Sequence, residues 1–199
     1  MKLSKPKQFL IVLAAFLVLG IPFKVMVLVE GFTEVRPVNA IPPVAGMICG
    51  FTGALACGIG NLIADLFGTF NTTSLLGFVG NFAAAYLSYR LWHIYSAEEP
   101  NLHKNMNILR YVLVSFNAAL SVSWFLGLGL FYFFGTWVEQ VYTYIFYNNF
   151  GFSIGLGMAG ITKETRQGHV DNQGGPIADE VNMISTLVSN YAGPIGTMP

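Results

Sequence analysis

Apolar segments separated by short polar links make up most of the chain. The longer ones cover about residues 8–30, 74–92, 108–134 and 136–161. A helix needs roughly 20 mostly apolar residues to cross a bilayer, and these segments approach or exceed that length. The first segment has a basic start but is not followed by the small-x-small site of a secretory signal, so we interpret it as the first transmembrane helix.

Residues 38–68 hold two shorter apolar pieces that meet near the sequence CGFTG. The first piece, VNAIPPVAGMIC, is too short for a full span and predicts a short or partly re-entrant second helix. The second piece predicts a third helix over about residues 53–67. With these two, the expected fold is that of an all-α integral membrane protein, a six-helix transmembrane bundle with short second and third helices.

The pattern divides the chain into two regions. Residues 1–161 are predicted to form the six-helix transmembrane domain, and residues 162–199 a polar cytoplasmic tail. The tail is interpreted either as mostly disordered around one frayed amphipathic helix or as docked on the cytoplasmic face or on a partner. The apolar residues that predict this helix stand at helical spacing: Val181, Ile184, Leu187, Val188 and Tyr191.

Lysines and arginines near the helix ends predict the orientation, because they concentrate on the cytoplasmic side. A six-pass arrangement places eight of the ten on one side, all except Lys24 and Arg36. Both termini are therefore expected in the cytoplasm, in a multi-pass protein of the cell (plasma) membrane. Glu34, Asp65 and the link GTFNTT are expected on the outside.

Composition supports the membrane class and argues against others. Hydrophobic residues make up 54% of the 199-residue chain and charged residues 10%, against roughly 25% charged in soluble domains. The net charge is zero and no basic patch is present, so nucleic acid is not an expected partner. Cys49 and Cys57 lack metal-ligand spacing and are interpreted as packing residues, so no metal site is expected.

Polar side chains inside the apolar segments are costly in lipid, so they are expected to face a cavity or another helix. Asn61 and Asp65 are four residues apart and share one helix face. Lys24, in the outer part of the first helix, is a candidate for a pocket or gate role. We interpret the outer polar residues as the substrate-binding set of an outward-facing pocket: Glu34, Arg36, Asn39, Asn61, Asp65, Asn81, Asn117, Trp124, Asn148 and Asn149. The alternative for any one of the asparagines is a local hydrogen bond between helices.

Small residues at helical spacing allow helix backbones to approach closely. They are interpreted as packing positions inside the bundle or as an external face for another membrane subunit. This set comprises Ala14, Ala15, Gly20, Gly151, Gly155 and Ala159.

Enzymatic motifs are not found in the sequence. No glycine-rich loop ends in Gly-Lys-Ser/Thr and no HExxH is present. His93, His103 and His169 fall in predicted cytoplasmic segments, and no nucleophile is paired with a base within the membrane. The chain is therefore not expected to be an enzyme, and no cofactor or catalytic residue is predicted.

The stretch GMICGFTGALACGIGNLIADLF resembles the substrate-binding (S) components of energy-coupling factor (ECF) transporters. In that family the second and third helices meet in a turn of the GFxFGPxxG kind, followed by xxGxxxDLL. The matching positions are Gly50, Gly53, Gly58 and Asp65, whereas the proline that often follows the turn glycine is absent. The similarity in length, six passes and cytoplasmic termini extends over about residues 8–162. The AxxxA spacing that often marks the family's first helix is not present in LAAFLVLG.

The resemblance implies a membrane-embedded subunit that captures a vitamin-like micronutrient from the outside. A membrane coupling subunit and two ATPase subunits would be its partners and would drive uptake with ATP. Glu34 and Arg36 at the rim fit a zwitterionic or heteroaromatic solute, which aromatic side chains such as Trp124 would stack on. Two other functions stay open: a six-pass scaffold or assembly protein without a solute, and a stand-alone carrier or channel.

Overall fold

The computed structural model describes residues 3–29, 33–68, 70–135 and 139–161, and this part of the chain is almost entirely helical. The elements in chain order are α1 (Lys5–Gly20), the first 3₁₀ turn (Ile21–Val25), β1 (Val27–Val29), β2 (Thr33–Glu34), the second 3₁₀ turn (Pro37–Ala40), α2 (Ile41–Asp65), α3 (Ser74–Tyr95), α4 (Asn105–Phe134), α5 (Glu139–Phe152) and the π segment (Ser153–Gly157). The helical class is confirmed, with one small hairpin added. The described residues form five α-helices, so the predicted count of six is not confirmed.

The first helix ends earlier than the predicted boundary at residue 30. Pro22 has no amide hydrogen to donate to the carbonyl four residues before it, and after Gly20 the chain tightens into the first 3₁₀ turn, which contains Lys24. The valine-rich stretch that follows forms β1, which pairs antiparallel with β2. The polar link expected after the first helix is therefore in part the second strand of a hairpin.

A backbone break at Gly50 divides α2 into two helical stretches. Gly50 has φ 57° and ψ −134°, a conformation that side chains other than hydrogen strongly disfavour. The break lies within CGFTG, where the sequence placed the division between the second and third helices. The 25 residues of α2 are thus two shorter helices joined across this kink, and the kink lies where the sequence predicts the second helix to end and the third to begin.

Glycines let α2 pack closely against helices on two sides. A Cβ atom at Gly46 would overlap the backbone carbonyl of Ala85 in α3. On the other side, a Cβ at Gly60 would lie 2.8 Å from the ring of Phe16 in α1. Large side chains at these positions would force the helices apart, so α2 is the centre of the α1–α2–α3 layer. The remaining helices follow in order, α4 against α3 and α5 against α4.

In the part of the chain that the structure describes, three helical stretches are long and apolar enough to cross a membrane: Lys5–Val25, Pro37–Asp65 and Asn105–Phe134. They carry large apolar side chains on their outer surfaces, among them Val18, Phe51 and Phe133. Membrane association follows from this, because water would not tolerate so much exposed apolar surface. The number of passes and the sidedness stay predictions.

The remaining helix boundaries are close to those expected. Both α3 and α4 are continuous, and α4 begins three residues before the predicted start at residue 108. A left-handed Gly135, with φ 63°, caps the end of α4. The predicted sixth helix corresponds to α5 and the π segment, although residues 136–138 at its start lie outside the described part. The predicted tail, residues 162–199 with its amphipathic helix, also lies outside it.

Candidate functional site

A cavity of about 80 Å³ lies where both 3₁₀ turns meet the end of α2, the start of α3, the second half of α4 and the middle of α5. Its wall combines polar side chains with apolar ones. Seven of the ten predicted substrate-binding residues line it: Arg36, Asn39, Asn61, Asp65, Asn81, Asn148 and Asn149. The structure thus brings together polar residues that are more than 100 positions apart in the sequence.

A buried ion pair joins the first 3₁₀ turn to the end of α2. Lys24 Nζ lies 2.5 Å from Asp65 Oδ1, and the two side chains are only 7% and 8% exposed. Removing both charges from water carries a large desolvation cost, which is offset only by close geometry and further hydrogen bonds. The early end of α1 supports this pair, because it places Lys24 in a tight turn that reaches the end of α2.

Asn61 is the centre of the hydrogen-bond network around this pair. It lies one turn before Asp65 and donates from Nδ2 to Asp65 Oδ2 at 3.0 Å. Its Oδ1 accepts from Arg36 Nη2 at 2.6 Å and from Asn81 Nδ2 at 3.0 Å. A Cβ at Gly77 would lie 2.5 Å from Asn61 Nδ2, so this glycine gives the amide its space. We call Lys24, Asp65, Asn61 and Arg36 the cavity cluster.

Arg36 is the residue just before the second 3₁₀ turn, and its side chain belongs to the cavity cluster. Its backbone N–H donates to Asn148 Oδ1 at 3.2 Å, which attaches this segment to α5. The guanidinium donates to the amide oxygen of Asn61. Among the carboxylate side chains that the structure describes, none lies in ion-pair distance of Arg36. The guanidinium therefore keeps further N–H donors beside the cavity.

Asn149 bonds to nearby backbone, and a neighbouring serine contacts the main-chain carbonyls of two cavity residues. Asn149 Nδ2 donates to the Ile145 carbonyl at 2.8 Å. Ser153 Oγ contacts the carbonyls of Asn39 and Asn149 and so joins the second 3₁₀ turn to α5. For Asn149, this is the local alternative that the sequence left open.

The π segment contacts a buried tyrosine of α4. Tyr111 of α4 donates from its hydroxyl to the Ser153 carbonyl at 2.7 Å. A Cβ at Gly157 would overlap that hydroxyl, so glycine is required where the phenol enters the helix. The wider turn thus keeps α4 and α5 in contact just beyond the cavity wall.

Asn117 and Trp124 do not line this cavity, and their role in substrate binding stays a prediction. Asn117 Nδ2 donates to the Leu113 carbonyl of its own helix at 2.8 Å. Trp124 is 59% exposed and meets only the edge of Tyr142, at a centroid distance of 6.5 Å. The rotation of α4 explains both, because its cavity-lining residues recur every four positions: Val122, Leu126 and Leu130. A residue two positions from Val122 faces the opposite side of the helix. The side chain of Glu34 lies outside the described part.

Several cavity residues were not predicted from the sequence. The link between α2 and α3 contributes Asn71, Thr73 and Ser74. Asn71 Oδ1 accepts from the Thr73 backbone N–H at 2.7 Å, an Asx turn that the polar link GTFNTT signals. The apolar wall carries no comparable signal, since its members look like any other helix residue: Leu76, Val122, Leu126, Leu130 and Ile145.

The predicted small-residue set divides into buried and exposed members. Gly20 is buried, and a Cβ there would lie 3.6 Å from Ala64. Ala14 is exposed and Ala15 half-buried. Gly151 and Gly155 have nothing within 4 Å of a built Cβ, and Ala159 is also exposed. No neighbouring helix in the described part covers Gly151 and Gly155, which favours the external face over internal packing for these two glycines.

The loop between α3 and α4 holds a second polar network. Lys104 Nζ lies 2.5 Å from Glu98 Oε1, and these side chains are 63% and 46% exposed. The hydrogen bond from Lys104 holds the pKa of Glu98 below its usual range. Asn107 Nδ2 donates to Glu98 Oε2 at 3.3 Å, and Asn107 Oδ1 accepts from Arg110 Nη1 at 2.7 Å. We call Lys104, Glu98, Asn107 and Arg110 the loop cluster.

Metal ligands do not cluster in the described residues: no group of three or more His, Cys, Asp or Glu side chains is placed to hold an ion. No protein-family model, curated protein or solved structure matches the chain.

Proposed function

We propose that this chain is the membrane-embedded solute-binding subunit of an ECF-type transporter, which captures a small vitamin-like micronutrient from the outside. The observation that carries the proposal is the cavity cluster: a buried Lys24–Asp65 pair, bonded through Asn61 to Arg36, beside an open cavity. Ionisable groups within a membrane protein are costly, and they commonly mark the path or site of a solute.

The form of the cavity supports a small solute that is partly polar. A volume of about 80 Å³ has room for several water-sized groups, far fewer than a drug-sized ligand would need. The cavity lining combines the polar groups of the cavity cluster with apolar residues of α4 and α5 such as Leu126 and Ile145. This arrangement suits a molecule with a charged or polar end and a short apolar body.

The proposal assigns energy coupling to partner subunits, a membrane coupling protein and two ATPases, because the chain has no nucleotide-binding loop. The exposed face of Gly151, Gly155 and Ala159 supports a membrane partner, since small residues allow a second helix to approach closely. In this proposal both termini are cytoplasmic and the cavity opens to the outside of the plasma membrane.

The direct test is mass spectrometry of small molecules that copurify with the chain in mild detergent. We expect one solute at close to equimolar amount, and we expect Asp65→Asn to lose it because Lys24 and Asn61 are then released from their carboxylate. A chain that holds no solute at all would favour the scaffold function. Uptake by the chain alone in liposomes would favour the carrier or channel.

The partner face has its own test. Gly155→Leu is expected to leave the melting temperature of the isolated chain unchanged, because nothing lies within 4 Å of that position. It should weaken copurification with the membrane coupling subunit. Gly46→Leu serves as the contrast, since it should unfold the bundle against Ala85. Undiminished copurification of Gly155→Leu would place the partner on another face.

A further inference from the structure

Among the described residues that line the cavity, cationic side chains outnumber anionic ones. Among the described lining residues, Lys24 and Arg36 are cations and Asp65 is the anion. Both Asp65 oxygens are already bonded, Oδ1 to Lys24 and Oδ2 to Asn61. Asp65 is therefore committed to those two groups, and Arg36 makes its side-chain hydrogen bond to a neutral amide instead.

Arg36 is held so that its guanidinium has little freedom to turn away. Its backbone is attached to Asn148 and its Nη2 to Asn61. A guanidinium presents five N–H donors in a planar fork, which matches the two oxygens of a carboxylate. Because Arg36 is half-buried, water competes less for those donors than at an open surface.

We infer that the solute carries a carboxylate and that Arg36 binds it by a two-point hydrogen bond. This inference rests on the proposed function and names the class of its solute: a small monocarboxylate with a short neutral body. A single negative charge balances the excess positive charge of the described cavity lining. The neutral body lies against the apolar wall, near Leu126, Leu130 and Ile145.

Matched pairs of probes test the inference without knowledge of the natural solute. The full chain in detergent is freed of copurified solute and titrated with acetate against acetamide, benzoate against benzamide, and glycine against glycinamide. The two compounds of each pair differ in one group, which is a carboxylate in the first and a neutral amide in the second. A difference in their affinities therefore measures the preference for a carboxylate. We expect at least one carboxylate to bind about tenfold to hundredfold more tightly than its amide, the size of one charged hydrogen bond.

The variants assign that preference to Arg36. Arg36→Gln should remove it, and Arg36→Lys should retain only part of it, because lysine keeps the charge and loses the fork. Arg110→Gln is the matched control, since Arg110 makes the same type of bond to an asparagine Oδ1, at 2.7 Å, in the loop cluster. It should leave the preference unchanged. If Arg36→Gln does not fold, the reduced preference of Arg36→Lys tests the role of Arg36 by itself.

The outcomes separate this inference from the proposed function. No carboxylate preference in any pair, or a preference that survives both Arg36 variants, overturns the inference. A copurified solute that has no carboxylate also overturns it and leaves the solute-binding function intact. A chain that retains neither a copurified solute nor any probe overturns both.

Discussion

The cavity cluster and the loop cluster have the same connectivity at opposite ends of α3 and α4. In each, a lysine Nζ lies 2.5 Å from a carboxylate oxygen. In each, a fully buried asparagine, Asn61 or Asn107, donates to that carboxylate and accepts from an arginine. Connectivity alone therefore does not distinguish a binding site from a well-ordered loop.

Burial and open space distinguish the two clusters. The Lys24 and Asp65 side chains are 7% and 8% exposed and line a cavity. The Lys104 and Glu98 side chains are 63% and 46% exposed. Their loop is attached to α3 by Trp92, whose Nε1 donates to the Glu98 carbonyl at 2.8 Å. Water screens the loop pair, whereas the cavity pair must be stabilised by its protein neighbours. The cavity cluster is the one whose cost calls for a functional explanation.

The cavity cluster and the loop cluster are expected to lie on opposite sides of the membrane, and this is the largest difference expected between them. Helix α3 has 22 residues, about 33 Å at 1.5 Å per residue, which matches a hydrocarbon core of about 30 Å. Cysteines introduced at Asn71 and Glu98, in a chain with Cys49 and Cys57 replaced by alanine, should react oppositely with an impermeant maleimide on intact cells. Asn71 should label and Glu98 should not. Labelling of both introduced cysteines from the outside would contradict the predicted six-pass topology.

The second difference is in stability. Asp65→Asn should lower the free energy of unfolding by about 3–5 kcal/mol, because it leaves a buried ammonium without its carboxylate. Glu98→Gln should change it little, since exposed ion pairs contribute little. Reversible denaturation in detergent measures both. Equal effects at the two ends would show that burial does not separate these clusters.

Most of the cavity cluster could be predicted from the sequence, because charged side chains in apolar segments must face a cavity or another helix rather than lipid. Asn61 and Asp65 at i and i+4, and Arg36 just before a proline, were identified on that argument. Trp124 lies outside the cavity, because the polar residues of α4 point in several directions and do not fix the rotation of the helix: Ser115, Asn117, Ser121 and Ser123. Contacts with α3 and α5 decide which of its faces lines the cavity.

The fold shows the same division between local signals and tertiary contacts. The break at Gly50 and the continuous α3 follow from glycines and from apolar length, which the sequence displays. The early end of α1 had a signal in Pro22, but the apolar run beyond it suggested a longer helix. The hairpin of β1 and β2 depends on pairing across a link, which single-segment patterns do not show.

A smaller effect is expected on solute binding from the amide that holds Arg36 in place. Asn148→Ala removes the acceptor of the Arg36 backbone N–H and so loosens the segment that carries the guanidinium. A neutral hydrogen bond contributes about 1 kcal/mol, so affinity for the copurified solute should fall about threefold to tenfold. Calorimetric titration measures this, with Asn101→Ala in the loop cluster's neighbourhood as control. A loss as large as that of Arg36→Gln would mean that Asn148 contacts the solute itself.

The smallest effect is a pH dependence confined to the loop cluster. The hydrogen bond from Lys104 lowers the pKa of Glu98 in the folded chain, so the unfolded chain takes up this proton first as the pH falls. The pair therefore stabilises the fold above the ordinary glutamate pKa of about 4.3, and this contribution disappears as the pH drops through the lowered value. The melting temperature of the parent minus that of Glu98→Gln should be small and positive at neutral pH and should shrink to zero in acid. A difference that stays constant, or grows in acid, would contradict an ion-pair origin and leave the contacts of Trp92 and Asn107 to hold the loop.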